Sequence, residues 1–345
     1  MEPADFEARA AELLGAGAHG YFAGGAGDEL TLRDNVEAWR RIALAPRVLV
    51  DVSERDTSVT VLGRRRPHPF VVAPMAYQRS AHEDAEIGTA RAAAATGSTF
   101  VLSSQTSTDP RAVAAAGGAA DRWMQLYVFR DRGLTDDLVQ AAREGSFEAL
   151  VITVDFPFGG WRDRDRRSGY VVDHAPYVQL SGTPLTPAER HAMHDPTLTW
   201  DDIAGFGEAS GLPIVLKGVL GPADAERAVQ VGAAGIVVSN HGGRQLDTVL
   251  SGAAALPAVV DAVAGRIDVL VDGGVRRGWD AAKALALGAD AVMVGRPVLW
   301  GLACEGSDGA RRVLEQLVTE FDSTLGLLGC PRAEDLDASY VVAPA

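Results

Sequence analysis

Long apolar runs and a cysteine framework are both missing from this chain of 345 residues. No stretch approaches the ~20 consecutive apolar residues of a membrane-spanning helix, so we expect no membrane span. The two cysteines, Cys304 and Cys330, offer neither a disulfide framework nor a CxxC metal pair, which is typical of a reducing cytoplasm. The first residues lack the basic and apolar regions of a signal peptide. We therefore expect a cytoplasmic protein without a bound metal.

Basic charge is also scarce. With 32 Lys and Arg against 46 Asp and Glu, the net charge is −14, which argues against general binding to nucleic acid or to an anionic membrane. Hydrophobic residues make up 47% of the chain, enough for one large core. A single α/β barrel often reaches this length.

Eight apolar, strand-like runs alternate with alanine-rich helical stretches from residue 67 onward. The runs are 69–75, 99–104, 122–128, 149–155, 213–219, 235–240, 268–274 and 291–297. Strand–helix units repeated in this way predict a closed parallel (β/α)8 TIM barrel, an α/β fold, over residues 67–345. An open doubly wound sheet is the alternative, but no GxGxxG motif follows the first strand.

Two further segments do not fit the barrel pattern. Residues 1–66 are interpreted as an N-terminal helical lid or plug packed on the barrel, with helices over 3–14 and 30–39 and a small exposed strand at 57–62. Nearly sixty residues separate the fourth strand from the fifth. Connections of that length are usually functional, so we predict an active-site lid there, followed by a helix near Trp200.

The stretch 235–247, GIVVSNHGGRQLD, joins a buried strand to a sharp polar turn. His241 can accept a proton near neutral pH, and Arg244 can bind a carboxylate through two parallel hydrogen bonds. An isolated HxxR would more often be a structural turn. Because the other strands end in similar polar groups, we predict an acid substrate that loses a proton here.

Polar or glycine-rich segments follow every predicted strand, and the carboxyl ends of barrel strands meet at one rim. At the last two strand ends, glycines accompany Arg276 and Arg296, which favours a phosphate site over two tight turns. Lys217 lies in a buried strand and could form a Schiff base or stabilise anionic charge on a cofactor. Hydrogen-bonding side chains at the rim, with the phosphate site, suit a flat cofactor such as FMN. Asp155 is a natural partner for His241.

The quoted motif, with Gln125-Leu126-Tyr127, Thr153-Val154-Asp155, Leu216-Lys217-Gly218-Val219 and 272–278, resembles the FMN-dependent α-hydroxy-acid oxidases and dehydrogenases. The resemblance runs from the Tyr21 region to Cys330. It implies oxidation of an (S)-2-hydroxy acid to the 2-oxo acid by an FMN enzyme, with O2 as the expected acceptor and H2O2 as the product. It also implies a homo-oligomer, a tetramer in many members of the family.

The resemblance further implies a role for each motif residue. His241 would be the catalytic base, supported by Asp155, Tyr127 and Lys217. The substrate would be bound by Tyr21, Tyr127, Arg162, His241 and Arg244. The cofactor would be held by Pro74, Met75, Ala76, Ser103, Gln125, Thr153, Lys217, Ser239, Asp272, Gly274, Arg276, Gly295 and Arg296.

Departures from the family pattern concern the substrate pocket. Gln105 stands where glycolate oxidase has a Trp, and Met75 stands where a Thr is frequent. Loss of one large ring, with Tyr77 and Met75 as adaptable apolar surface, predicts a mandelate-like aromatic acid. The open alternatives are a glycolate- or lactate-type oxidase, a dehydrogenase that does not use O2, a Schiff-base lyase, an FMN isomerase, or a flavin-binding barrel without catalysis.

Overall fold

A computed structural model describes residues 3–118, 120–172 and 192–342. Its centre is a closed barrel of eight parallel strands, in which each strand pairs with its neighbours in sequence and the last strand pairs with the first. All eight predicted strand runs are confirmed, although each observed strand is shorter than its run. The strands are β1 Phe70–Val72, β2 Thr99–Ser103, β3 Arg122–Leu126, β4 Leu150–Thr153, β5 Ile214–Val219, β6 Gly235–Val238, β7 Asp268–Val271 and β8 Ala291–Val294.

The barrel strands are buried on both faces, as the runs of Val, Ile and Leu predict. Every residue of β2, β4, β6 and β8 is buried. The parallel register places Lys217 of β5 beside Thr153 of β4 and Val237 of β6. The ladder shifts register between Lys217 and Val219. The irregularity falls at Gly218, next to the predicted site.

One helix follows each barrel strand and covers the outside of the barrel. The helices are Ala85–Thr96, Pro110–Gly117, Arg132–Glu144, Trp200–Ser210, Pro222–Gln230, Gly252–Val263, Gly278–Ala286 and Arg296–Leu328. Asp109 and Asp131 cap two of them by accepting backbone N–H bonds. The last helix changes direction at Glu305 and Gly306, whose backbone angles are not helical.

Two N-terminal helices, Pro3–Ala23 and Leu30–Arg41, lie at the carboxyl end of the barrel. The indole N–H of Trp39 donates to the carbonyl of Gly273, 2.8 Å away, just beyond β7. The predicted end of the first helical segment at Gly15 is confirmed, but the helical segment that follows it was not predicted. Gly15 has a φ of 67°, and the helix resumes after this kink and continues to Ala23.

A hairpin closes the opposite, amino-terminal end of the barrel. Its strands, Val59–Val61 and Arg64–Arg66, pair antiparallel. Arg66 forms an ion pair with Glu148 just before β4, with an N–O distance of 2.8 Å. The strand predicted as exposed is exposed on one face only, at Thr60, because Val59 and Val61 are 5% and 1% accessible. The segment 1–66 therefore covers both ends of the barrel, and only its helical part faces the predicted site.

The long connection after β4 contains the short helix Asp163–Ser168 and ends at the predicted helix, Trp200–Ser210. Most of the expected lid, residues 173–191, lies outside the described residues. The remaining elements are a short ladder between Ala43–Leu44 and Val341–Val342 and 3-10 turns at Gln78–Ser80, Ala333–Asp335 and Ala338–Tyr340. In the described part of the chain, no helix has both the length and the apolar character needed to cross a bilayer.

Candidate active site

The carboxyl ends of the barrel strands surround a cavity of about 510 Å³. The predicted site residues that line it are Tyr21, Pro74, Met75, Ala76, Ser103, Gln125, Tyr127, Thr153, Arg162, Lys217, His241, Arg244, Asp272, Gly274, Arg276, Gly295 and Arg296. Asp155 and Ser239 lie behind this wall and contact its members. The structure therefore brings the whole predicted set together from separate strand ends and the N-terminal segment.

His241 is held between a carboxylate and a phenol. Its Nδ1 lies 3.0 Å from Oδ1 of Asp155, and its Nε2 lies 3.3 Å from the hydroxyl of Tyr127. The carboxylate accepts from Nδ1–H, so the lone pair is assigned to Nε2. Burial lowers the pKa of His241, an effect that Asp155 only partly offsets. A neutral imidazole, whose Nε2 lone pair can accept a proton, is therefore the resting form at neutral pH, as a general base requires.

Asp155 stays ionised although it is buried. Burial raises its pKa, but the nearby His241 and Lys217 lower it by more, and the pKa of this carboxyl falls below its usual value. In this form it fixes the imidazole tautomer and can stabilise an imidazolium.

The backbone around His241 is equally constrained. His241 has a φ of 60°, and its N–H donates to the Ser239 hydroxyl over 3.0 Å. The side-chain amides of Asn240 and Asn35 form two reciprocal hydrogen bonds of 2.9 and 2.8 Å, which tie this turn to the second N-terminal helix. The strained turn is thus stabilised from outside the motif.

Lys217 is a buried ammonium and not a Schiff-base amine. Its Nζ donates to the Ser239 hydroxyl at 2.8 Å and lies 3.0 Å from a carboxylate oxygen of Asp272. Burial lowers its pKa, but Asp272 and Asp155 raise it by more, so the net shift is upward. A Schiff-base lysine needs a depressed pKa. The arrangement therefore favours the cofactor-facing role over the lyase alternative.

Arg162 and Arg244 form a pair of guanidiniums at the cavity wall. Arg162 donates through Nε to the carbonyl of Arg244 over 3.1 Å. Arg244 donates to the carbonyls of Tyr21 and Gly24 over 2.7 and 2.8 Å. Burial and the neighbouring Arg244 lower the pKa of Arg162 to about 10, so this guanidinium remains charged at neutral pH. Two positive groups side by side form a binding site for a carboxylate.

A family model described as FMN-dependent dehydrogenase matches residues 10–343. The chain belongs to this family.

Several similar proteins are named oxidases. An L-lactate oxidase of Nostoc sp. is 44% identical, with 98% of this chain and 96% of the relative aligned. Human 2-hydroxyacid oxidase 1 is 41% identical over 98% of this chain and 95% of its own length. A mandelate oxidase solved with (S)-4-hydroxymandelic acid has a TM-score of 0.91 at 40% identity and covers 99% of this chain and 98% of its own. The predicted class, FMN-dependent oxidation of a 2-hydroxy acid, is confirmed.

The residues of this FMN-dependent dehydrogenase suit a phosphate at one end of the cavity. Arg296 donates to the carbonyls of Phe22, Gly242 and Gly24 over 3.0, 3.0 and 3.1 Å. These neutral acceptors leave its charge uncompensated, and burial with the nearby Arg244 and Arg276 lowers its pKa to about 9. The helix that starts at Arg296 adds a positive N-terminus. An anion bound here would relieve the repulsion among the arginines.

Hydrogen-bonding groups suited to the flavin ring line another part of the cavity. Gln125 is 1% exposed; its Oε1 accepts from the Ser103 hydroxyl, and its Nε2 donates to the Thr153 hydroxyl at 2.9 Å. Gly274, predicted to bind the cofactor, lines the cavity and also has a steric role. A Cβ built at Gly274 would lie 1.9 Å from the carbonyl oxygen of Asn35, so this glycine makes room for the N-terminal helix.

Phe156, His194, Gln245 and Asp165 contribute to the site and were not predicted. Phe156 and His194 pack against the ring of Tyr127, with centroid separations of 4.9 and 4.8 Å. Gln245 donates to the carbonyls of Asp155 and Phe158 and accepts from the Gly160 N–H, which fastens the loop after β4 to the motif. Asp165 lines the cavity beside Arg162, 3.8 Å away. Only Gln245, inside the quoted motif, carried a sequence signal.

Proposed function

We propose that this enzyme oxidises an (S)-2-hydroxy acid with an aromatic side group and passes the electrons to O2, giving the 2-oxo acid and H2O2. The observation that supports the aromatic side group is the number of rings in the cavity wall. Those rings belong to Tyr21, Tyr77, Tyr127, Phe156, Trp161 and Tyr170. Aromatic pairs in offset or edge-to-face contact favour a flat ring as an additional partner.

The residues divide the work as follows. Arg162 and Arg244 bind the carboxylate of the acid and orient it. Nε2 of His241, with Tyr127 beside it, accepts a proton from the substrate, and Asp155 stabilises the imidazolium that results. Arg276 and Arg296 would hold the phosphate of FMN, with Ser103, Gln125, Thr153 and Lys217 along the ring. Bound FMN supplies the two-electron acceptor.

Burial helps to keep Tyr127 in its proton-donating form. Burial and the nearby Asp155 raise the pKa of the phenol well above its ordinary value of 10.0. At neutral pH it therefore keeps its proton and can donate to a substrate oxygen while His241 remains the proton acceptor. Tyr127 is thus the hydrogen-bond donor, and His241 is the base.

A second candidate is a short-chain acid of the lactate or glycolate type. It is supported by the names of two relatives, the L-lactate oxidase of Nostoc sp. and a glycolate oxidase of Oryza sativa. The two candidates are separated by kcat/KM for (S)-mandelate, 4-hydroxymandelate, (S)-lactate and glycolate. We expect the aromatic acids to exceed the short ones by tens- to thousands-fold, since each methylene-sized fit contributes ~1–3 kcal/mol. A higher value for lactate or glycolate would contradict the aromatic proposal.

The electron acceptor is tested separately. The curated relatives named oxidases support O2. With substrate in air, oxygen uptake should equal the acid consumed, and added catalase should return half of the oxygen. Turnover only with an artificial dye would instead identify a dehydrogenase.

We also propose a homotetramer in the cytoplasm. An exposed apolar patch supports self-association. Leu49 and Leu327 are 103% and 78% accessible. Their segments are joined by a hydrogen bond from the Arg47 N–H to the carbonyl of Leu328. The free thiols Cys304 and Cys330 suit a reducing compartment. Sedimentation velocity of the wild type and of Leu49→Asp tests the first point, and cell fractionation tests the second.

A further inference from the structure

The side-chain amide of Gln105 lies in the cavity wall with one end fixed. Gln105 is 6% exposed and lines the same cavity as His241 and Arg244. Its Oε1 accepts a hydrogen bond from the Tyr77 hydroxyl at 2.7 Å. Within residues 3–118, 120–172 and 192–342, no acceptor takes the Nε2 hydrogens. This amide donor is accessible from the cavity and has no acceptor in the protein, so it is available to a ligand.

The contact between Gln105 and Tyr77 is built from backbone as well as side chains. The Tyr77 N–H donates to the Gln105 carbonyl over 3.2 Å, and the Gln105 N–H donates to the Ser103 hydroxyl over 3.1 Å. Tyr77 has a φ of 56°, a conformation that residues other than glycine rarely adopt. These contacts hold the amide so that its oxygen faces Tyr77 and its NH2 group is left for the cavity.

Gln105 does not share the work of the carboxylate-binding arginines. The Tyr77 ring lies 6.2 Å from the Tyr21 ring, and the Tyr21 ring lies 5.1 Å from Cζ of Arg244. Arg244 thus faces the Tyr21 ring, whereas Gln105 is hydrogen bonded to Tyr77. An acid bound through its carboxylate at Arg244 would meet Gln105 with another part of the molecule.

We propose that Gln105 determines specificity by donating a hydrogen bond from Nε2 to an oxygen on the side group of the acid. This inference rests on the proposed aromatic substrate and narrows it to a ring that carries a hydroxyl. The energetic basis is the asymmetry of polar sites. A pocket that presents a hydrogen-bond donor discriminates against the analogue without the acceptor, because the bound ring excludes water and leaves the donor unpaired.

The test compares mandelates that differ only in a hydroxyl or a methyl at ring position 3 or 4. The two groups are similar in size, so the ratio of their kcat/KM values reports the hydrogen bond. For the better ring position, we expect the wild type to favour the hydroxyl at least tenfold. In Gln105→Met, which keeps the length of the side chain and removes the donor, the ratio should fall below threefold.

A control variant and a binding measurement test whether Gln105 causes the effect. Gln140 lies exposed on the helix Arg132–Glu144, and Gln140→Met should leave the ratio unchanged. The hydroxyphenylacetates and methylphenylacetates, which lack the 2-hydroxyl, should show the same preference in their Kd values, measured by perturbation of the flavin absorbance of the holoenzyme. Agreement of the two readouts assigns the effect to binding.

The inference is overturned if the wild-type ratio is near one, or if Gln105→Met retains the wild-type ratio. The proposed function fails on a different observation, namely short acids that exceed every aryl acid. The hydroxyl-to-methyl ratio does not depend on that comparison, so the two failures are distinguishable.

Discussion

Gly218 and Asp155 lie in direct contact: a Cβ built at Gly218 would be 2.6 Å from the Cβ of Asp155. Gly218 also has a φ of 117° and lies where the β5–β6 ladder shifts register. The strand carrying Lys217 thus leaves room for the carboxylate that supports His241. Gly218, which was not among the predicted site residues, therefore helps to position His241 through Asp155.

Gly218→Ala should lower kcat by displacing Asp155 and should destabilise the fold by about 1–3 kcal/mol through backbone strain. Steady-state kinetics and thermal unfolding of the holoenzyme measure the two effects. The matched control is Gly205→Ala, in a helix where an added Cβ meets no atom within 4 Å. Equal effects of the two substitutions would contradict the role of Gly218.

The pH profile of kcat/KM should show an acid limb below pH 6.5, the ordinary pKa of His. The reason is that burial lowers the pKa of His241 and the base acts only when deprotonated. Activity is therefore present above the lowered pKa and lost as the pH falls through it. A limb centred above pH 6.5 would show that the carboxylate outweighs burial.

Asp155→Asn should decrease kcat by about 10²–10⁴ and shift this limb to still lower pH. Asp155 raises the pKa of His241, so its neutralisation removes the effect that opposes burial. A general loss of folding would reduce activity without moving the limb downward, and the complete profile therefore distinguishes the two explanations.

Arg244→Lys should raise KM about 10–100-fold for every 2-hydroxy acid alike. The ammonium cannot reproduce the planar donor set that holds the Tyr21 and Gly24 carbonyls and faces the substrate carboxylate. Ratios of kcat/KM between acids should stay within about threefold of the wild type. A change confined to the aromatic acids would place Arg244 at the side group instead.

Arg276→Gln should weaken FMN binding about tenfold to a hundredfold, because a charged hydrogen bond to phosphate contributes ~1.5–3 kcal/mol. Arg276 lines the cavity, and burial lowers its pKa. The neighbouring Arg277 pairs with Glu320 at 2.8 Å, so Arg277→Gln is the matched control. Fluorescence titration of the apoprotein with FMN gives both Kd values.

Removal of FMN should lower Tm, and excess FMN should restore it. A ligand present at 100 times its Kd stabilises the folded state by ~2.7 kcal/mol. Differential scanning fluorimetry with FMN, and with inorganic phosphate as a weaker anion, tests whether anion binding by the arginine cluster causes this stabilisation. An identical Tm for the apoprotein and the holoenzyme would contradict it.

The amino-acid sequence alone predicted the barrel, because short apolar runs mark the strands and alanine-rich stretches between them mark the helices. Those signals are local, so 69–75 and 291–297 could be recognised without knowing that β1 and β8 pair. The convergence of His241, Lys217 and Arg244 also followed, since parallel strands end at one rim. The family resemblance added the individual roles.

Only the tertiary structure showed which residues constrain that rim. The contacts of Gly274 with Asn35, Gly218 with Asp155 and Tyr77 with Gln105 join segments far apart in sequence. The burial of Val61, predicted to be exposed, likewise depends on the barrel end beneath it. Such contacts arise from close packing between elements, which no local pattern of residues encodes.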